Sequence, residues 1–281
     1  MAHASNIYQD KFGTDTVLLS ELQPPPATPA PVSALVITLN EAANIGACLE
    51  SLSWAKEIIV VDAQSSDDTV SQAKKITGKV FVRPWEGYAK AKAYALSQCT
   101  QEWVLWIDAD ERVTPELRDE IIVKLKANPP ETGFYIPRLA NFLGAWIRHG
   151  GWYPGYVLRL FRRDKASFND QKVHEYVTVN GSTGKLSNHL LHYTDPTLQH
   201  YLTKLNNYTS LAAEDLRHRG KKFNLLDLLF RPLWFFFRMY FLKAGFLDGM
   251  HGFVLTCFSA VHVTAKYAKL WEMEKNERES G

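Results

Sequence analysis

Between Val32 and Lys126 the chain repeats one pattern four times: a short β-branched run, a polar turn and a helical stretch. The runs are Val32–Thr38, Glu57–Asp62, Val80–Val82 and Trp103–Asp108. The stretches after them are Ile45–Leu52, a helix capped by Ser66 and reaching about Thr77, Tyr88–Gln98, and a helix opened by Thr114-Pro115-Glu116 and reaching about Lys126. Asp67 and Asp68 fall in the first turn of the second helix, where the helix dipole favours negative charge. Proline at the first helical position with an acid beside it is a helix start. Repeated β-α units of this length fold as a mainly parallel sheet with helices on both faces. In such a sheet the turns leaving the strands lie on one edge, and that edge is where ligands bind.

Three of those turns carry acids or amides: Thr38-Leu39-Asn40-Glu41, Asp62-Ala63-Gln64-Ser65 and Asp108-Ala109-Asp110-Glu111. Side chains two apart on an extended chain share a face, so Asp108 and Asp110 are expected to face one ligand. Two hard oxygen donors at a sheet edge suit Mg²⁺ or Mn²⁺ held between protein and a diphosphate. Alone, each turn also reads as a plain strand-end loop; the three in this order carry more weight.

After Asn128 the rhythm changes. Gly133–Arg138, Tyr156–Phe161, Lys172–Val179 and Lys185–His192 read as strands joined by loops, and a helix returns over about Leu198–Arg219. The loop Gly144–Gly155 and the residue after it bring together Trp146, Trp152, Tyr153 and Tyr156, which suit either stacking on a sugar ring or a packed lid. Arg159 and Arg162 flank Leu160-Phe161; each could meet phosphate or stay solvated, and neither is assigned to the site.

Both ends of the chain depart from this pattern. Residues 1–31 finish in Pro24-Pro25-Pro26-Ala27-Thr28-Pro29-Ala30-Pro31, a composition that favours extended polyproline over helix or sheet. Residues 223–247 are rich in Leu, Phe and Trp, but Asp227, Arg231, Arg238 and Lys243 interrupt them and Pro232 is expected to start a new helix. Arg231 and Arg238 are seven apart and fall on one side of a helix, with Asp227 near them. A broad apolar face with a narrow charged stripe fits a helix lying in a membrane interface or packed between subunits.

Composition narrows the function classes. A net charge of +2 over 281 residues gives no basis for broad nucleic-acid binding. Cys48, Cys99 and Cys257 are sparse, odd in number and without metal-ligand spacing, which fits a reducing compartment. No basic start followed by an apolar run marks a secretory signal. The first strand is followed by no glycine-rich phosphate loop, and no Gly-x-Gly-x-x-Gly marks a dinucleotide oxidoreductase.

The runs Val36-Ile37-Thr38-Leu39-Asn40-Glu41, Val60-Val61-Asp62-Ala63-Gln64-Ser65-Ser66-Asp67-Asp68-Thr69 and Asp108-Ala109-Asp110 resemble the family 2 glycosyltransferases with the GT-A fold. Val173-His174-Glu175, Leu191-His192-Tyr193, Lys204 with Tyr208, Arg231-Pro232, Asp248-Gly249 and Lys266-Tyr267 resemble the subgroup of bacterial lipopolysaccharide-core β-1,4-glucosyltransferases, with coverage from about Val32 to Glu272. The resemblance implies an α/β GT-A (nucleotide-diphospho-sugar transferase) fold with C-terminal amphipathic helices. The domains would be a disordered tail (1–31), a catalytic domain (32–222) with a nucleotide half (32–128) and an acceptor half (129–222), and C-terminal helices (223–281). It implies that Thr38, Asn40, Glu41, Asp62, Lys92, Asp108 and Asp110 bind the nucleotide sugar, with Asp110 the more direct ligand of Mg²⁺ or Mn²⁺. Relatives often have Gln and Asn flanking a basic residue where this chain reads Lys90-Ala91-Lys92-Ala93; Lys92 keeps a charge for phosphate, but Ala91 and Ala93 cannot donate hydrogen bonds.

Inversion needs one base on the acceptor side, and the resemblance places it at Glu175. The expected activity is inverting transfer of a hexose from a UDP-sugar to a hydroxyl of a cell-envelope or lipid-linked glycan. The expected place is cytoplasmic, peripheral on the inner face of the cytoplasmic membrane, with pairing of copies through the C-terminal helices left open. Transfer to polyprenyl phosphate and a catalytically silent membrane-bound scaffold are the alternatives.

Overall fold

The computed structural model describes residues 28–85, 87–168 and 177–280. The first strand, β1 (Ala30–Thr38), begins two residues before the expected start, because Ala30 donates its N–H to the Trp54 carbonyl at 2.8 Å. It is followed by α1 (Ile45–Glu50), β2 (Ala55–Asp62), α2 (Thr69–Ala73), β3 (Val80–Val82), α3 (Tyr88–Ser97) and β4 (Trp103–Asp108). These strands pair in parallel in the order β3-β2-β1-β4. Register matters most here: Thr38 lies opposite Asp62, and Ile37 opposite Asp108. All three strands therefore end on one edge.

The central strands are buried on both faces, as continuous apolar runs require. One face packs Val36, Val60, Leu105 and Ile107 against Ile45 and Leu49 of α1. The other packs Leu35, Ile59, Val104 and Trp106 against Ala95 of α3. The second helix is shorter than expected. Ser66 does not cap it; the Ser66 N–H donates to Asn40 Oδ1 at 2.8 Å. Asp67 accepts from the Thr69 N–H and the Ala42 N–H, so this stretch is spent tying two turns together.

Next come β5 (Glu111–Val113), α4 (Pro115–Lys126), β6 (Gly133–Phe142), β7 (Ala145–Ile147) and β8 (Gly155–Arg162). Thr114 caps α4 as expected, accepting from the Leu117 N–H at 3.2 Å. Then follow β9 (Ala166–Phe168), β10 (Val177–Val179), β11 (Thr183–Lys185) and β12 (Leu190–Asp195). The sheet continues past β4 as β8-β6-β12-β5. Its second half is mixed: β8 is antiparallel to both β4 and β6, and β12 is parallel to β6. Two antiparallel steps restore the original direction, so β12 also ends on the edge of Thr38, Asp62 and Asp108. The expected strand Lys172–Val179 is described only as β10, paired with β9 outside the main sheet. Lys185–His192 is not one strand: Glu120 accepts from the N–H groups of Ser187 and Asn188 and holds them in a turn between β11 and β12.

The last third is helical: α5 (Leu198–His218), α6 (Leu225–Phe237) and α7 (Gly249–Ser280). Pro232 lies inside α6 instead of starting a helix; Asn224 caps the start, accepting from the Leu226 N–H at 2.9 Å. A proline there forfeits one backbone hydrogen bond. The residues 245–279 are long and apolar enough to cross a bilayer by length and composition alone. Yet Leu255, Thr256, Tyr267 and Leu270 are buried along α7. Lys269 also donates to Asn206, Thr209 and Ser210 of α5, which ties this helix into the folded body.

Candidate active site

The shared edge opens into a cleft of about 920 Å³. Thr38, Glu41, Asp108 and Asp110 line it from the first half, and Arg138, Trp152, His192, Asp195, Lys204 and Tyr208 from the second. The two carboxylates meet there by a different route from the extended spacing. The strand ends at Asp108, and the chain turns through Ala109 and Asp110 before β5. Each acid is then held by its own partner.

Asp108 is paired with the Arg159 guanidinium, which also donates to Glu111 at 2.9 Å. The β4–β8 ladder explains the pairing. Leu105 lies opposite Leu160 and Val104 opposite Phe161, so Arg159 falls just past the ladder, beside Trp106. Its guanidinium carbon sits 4.4 Å from the centre of that ring. Glu111 is fully buried, accepts the Asp108 N–H at 2.9 Å and faces Arg138 at 3.5 Å. Burial raises the Glu111 carboxyl and Arg159 counters it; burial lowers the guanidinium of Arg159, and the two acids more than reverse this.

Asp110 faces His192 Nε2 at 3.2 Å. The antiparallel pairing of His192 with Glu111 delivers the imidazole there, and Tyr193 donates its N–H to the Asp110 carbonyl at 2.8 Å. Burial pushes the Asp110 carboxyl up, but His192 and Lys204 bring it below its ordinary value. Glu41 is raised, chiefly by burial, despite the hydrogen bond from Asn44. Thr38 Oγ1 is buried with no hydrogen-bond partner among the described residues.

The remaining expected residues lie around this cleft. Asp62 is fully buried and accepts from the Ser65 N–H at 2.8 Å and the Ser65 hydroxyl at 2.5 Å. It lines a smaller pocket with Arg83, Lys90 and Tyr94; Ile37 and Trp85 line both spaces. Asn40 takes a left-handed φ of 54° and bonds to Ser65 and Ser66, so it braces the turns. Lys92 is buried with its ammonium 4.3 Å from the centre of the Trp106 ring. Arg138 and Lys204 bring positive charge to the cleft wall. Glu175 and its neighbours Val173 and His174 lie outside the described residues.

Asp195 is the acid that sequence reasoning passed over. It ends β12 as Asp62 ends β2 and Asp108 ends β4, and that position was its signal. Its buried Oδ1 has no hydrogen bond among the described residues and faces His200 Nδ1 at 3.3 Å and Lys204 Nζ at 3.9 Å. Arg138 and His262 also reach the cleft and carry no motif that would mark them.

No cluster of three or more His, Cys, Asp or Glu among the described residues forms a cage for a metal ion. Mg²⁺ in phosphate sites is commonly held by one or two carboxylates with the phosphates and water as its other ligands. The donors present, Asp108 and Asp110 on one cleft wall, fit that use.

The model for glycosyl transferase family 2 matches residues 33–183. The chain is 34% identical over 254 residues to the lipopolysaccharide core biosynthesis glycosyltransferase LpsC of Rhizobium meliloti, covering 86% of this chain and 92% of that one. It is 33% identical over 258 residues to an uncharacterized glycosyltransferase of Rickettsia felis, covering 86% and 89%. Among solved structures it is similar to glucosyl-3-phosphoglycerate synthase from Mycobacterium tuberculosis, with a TM-score of 0.33 and 23% identity over 39% of this chain and 43% of that one.

Proposed function

The chain belongs to glycosyl transferase family 2 and has a GT-A fold, and from that premise we propose an inverting hexosyltransferase that takes its sugar from a UDP-sugar. The acceptor is a hydroxyl of a membrane-linked glycan of the lipopolysaccharide-core type. The observation that carries the reading is the pair Asp108 and Asp110 on one wall of the cleft, with Thr38 and Glu41 beside them.

In this reading the nucleoside lies along the edge from Asp62 to Thr38. Asp62 keeps acceptor capacity beyond its two bonds to Ser65, since a carboxylate offers about four lone-pair sites. A uracil N–H would use one. The unpartnered Thr38 hydroxyl is the second polar group awaiting a ligand. The diphosphate lies against Asp108 and Asp110, which would hold Mg²⁺ or Mn²⁺. That ion would supply Lewis-acid neutralisation of charge on the departing diphosphate. Arg159 fixes Asp108 from below, and His192 fixes Asp110, so neither acid must reorganise as charge develops. Arg138 and Lys204 add positive charge on the facing wall.

The acceptor oxygen attacks the anomeric carbon from the face opposite the diphosphate. Its proton passes to Glu175, the bond from the anomeric carbon to the phosphate oxygen breaks, and the nucleoside diphosphate leaves. Trp152 and Tyr208 give aromatic surface for the acceptor sugars. The name carried by the Rhizobium meliloti relative supports the acceptor class. The protein works peripherally on the cytoplasmic face of the membrane, supported by the apolar surface of α6 and of the turn after it. Leu233, Trp234, Phe241 and Leu242 are exposed there.

Calorimetry against a panel of nucleotide sugars with Mn²⁺ tests the donor. The expected result is binding of a UDP-hexose, lost in Asp110→Ala. Binding of no nucleotide sugar would support a silent scaffold. Sugar transfer to polyprenyl phosphate in place of a glycan hydroxyl would replace the acceptor class.

A further inference from the structure

The Asp248-Gly249 pair has no place in the nucleotide half, yet the structure gives it a definite task. After α6 the chain makes a π-helical turn over Arg238–Leu242 and reverses through Ala244 at a left-handed φ of 54°. It then passes a 3-10 turn over Gly245–Asp248 into α7. The Asp248 carboxylate is only 7% exposed. It accepts from the N–H groups of Arg148 at 3.2 Å and His149 at 2.9 Å, and lies 2.8 Å from His149 Nδ1. The Gly150 N–H donates to the Lys243 carbonyl at 2.8 Å. Buried Met239 packs with Phe142, Ile147 and Leu255, and Trp152 lies against that cluster. Gly249 holds φ 61° and ψ −140°, a conformation open essentially to glycine alone. A Cβ on Gly252 would fall 2.0 Å from the Gly245 carbonyl oxygen, so the start of α7 seats directly on the turn. The reversal and the segment 148–152 therefore form one interlocked piece, and Trp152 is its cleft-lining residue.

The other side of that piece faces outward and is apolar. Phe241, Leu242, Phe246, Leu247 and Met250 range from 47% exposed at Phe246 to 71% at Met250. Between Arg219 and Gly252 there are five Lys or Arg and two Asp. Both acids are engaged internally: Asp227 with Arg231 and Lys221, and Asp248 with the 148–149 backbone. Lys222, Arg238 and Lys243 have no ion pair among the described residues, and an apolar face with such cations beside it suits anionic headgroups. Pairing two copies about a two-fold axis would set these same cations against each other.

We propose that the reversal 238–250 is the lipid-inserting tip of the protein and that Asp248 carries its insertion to Trp152, so that contact with an anionic bilayer sets the acceptor wall of the cleft. The proposal rests on the membrane reading above. Insertion favours the ordered form of the turn, and the carboxylate clamp then favours the ordered form of 148–152; a ligand shifts a two-state element only through such a difference. Asp248 is thus a positioning residue, remote from the reacting atoms.

Hydrogen exchange of the full chain, alone and on phosphatidylglycerol–phosphatidylethanolamine vesicles, tests it. In the wild type, vesicles should slow exchange in 238–250 and also in 148–152, each by about fivefold or more, the scale of one net hydrogen bond. Asp248→Ala should still float with the vesicles and protect 238–250, while 148–152 exchanges faster and no longer responds. Asp248→Asn, which keeps one acceptor oxygen, should respond to an intermediate degree. If the wild type floats and protects 238–250 but 148–152 is unmoved, the coupling is wrong and the membrane reading stands. If the wild type stays off vesicles and 238–250 is protected by self-association, both fall. Should Asp248→Ala fail to fold, the wild-type response in 148–152 decides alone.

Discussion

Arg159 stands between Asp108 and Glu111, and it is the residue whose loss the site should tolerate least. Replacing it by methionine leaves the fully buried Glu111 facing only Arg138 at 3.5 Å. Breaking a buried pair from one side costs about 3–5 kcal/mol. Arg159→Met should lower the urea midpoint accordingly, and an unchanged midpoint would show that Glu111 is neutral and needs no partner. Glu175 makes a different prediction. Glu175→Gln should bind the donor normally and lose about 10²–10⁴ in turnover, the scale of general-base removal. Wild-type turnover with the natural acceptor would assign the base elsewhere, with Asp195 the next acid to test. The Asp108–Asp110 pair was legible because acids at a strand end stand out locally. Arg159 was not, because its partner is set by the antiparallel β4–β8 register 51 residues away in sequence. Asp195 needed the direction of β12, which follows only from two antiparallel pairings.

Glu57 pins the entry end of the parallel sheet. It accepts from Ser33 of β1 and from Thr100 after α3, and it pairs with Lys79 ahead of β3. Burial pushes its carboxyl up, but these three partners outweigh burial and bring it from 4.5 down to about 2. Because the folded value is the lower one, the stabilisation is fully present above pH 4.5 and is lost as pH falls towards 2. Lys79 is half-exposed and solvent-screened, so Glu57→Gln should cost about 1–2 kcal/mol at neutral pH. Urea unfolding at several pH values should show a flatter acid limb in the variant; an unchanged slope would contradict the assignment. The elements themselves were largely readable, since β-branched runs and the Thr114-Pro115 start are local signals. The misread ones were settled by partners far away in sequence. Asn40 Oδ1 took both the Ser66 N–H and the Ser66 hydroxyl that would have capped a longer α2, and Glu120 broke the expected strand 185–192. Pro232 is buried within α6, and that packing outweighs its local preference for a helix start.

At the scale of the molecule, a catalytic cleft sits beside a helical hairpin whose outer face is apolar. The sequence offered one undivided apolar stretch, open to membrane or subunit. The structure divides it: Phe236 and Tyr240 pack on Phe253, whereas Leu233, Trp234 and Phe241 face outward. Replacing those three outward residues by serine should release the protein from anionic liposomes in flotation while donor binding persists. Release of neither protein, or wild-type protein that never floats, would assign the face to another partner. Asp108 and Asp110 are expected to make this cleft a metal-dependent sugar-transfer site. The most direct measurement is UDP release from a UDP-hexose in the presence of truncated lipopolysaccharide core, with wild type and Asp110→Ala, in chelator and after Mg²⁺ or Mn²⁺ is returned. Wild-type turnover is expected to vanish in chelator and return with the ion. Asp110→Ala should stay at least about 100-fold slower throughout at an unchanged unfolding midpoint, a loss on the scale of transition-state charge stabilisation. Full activity of Asp110→Ala in chelator would contradict this role of Asp110 and of the ion.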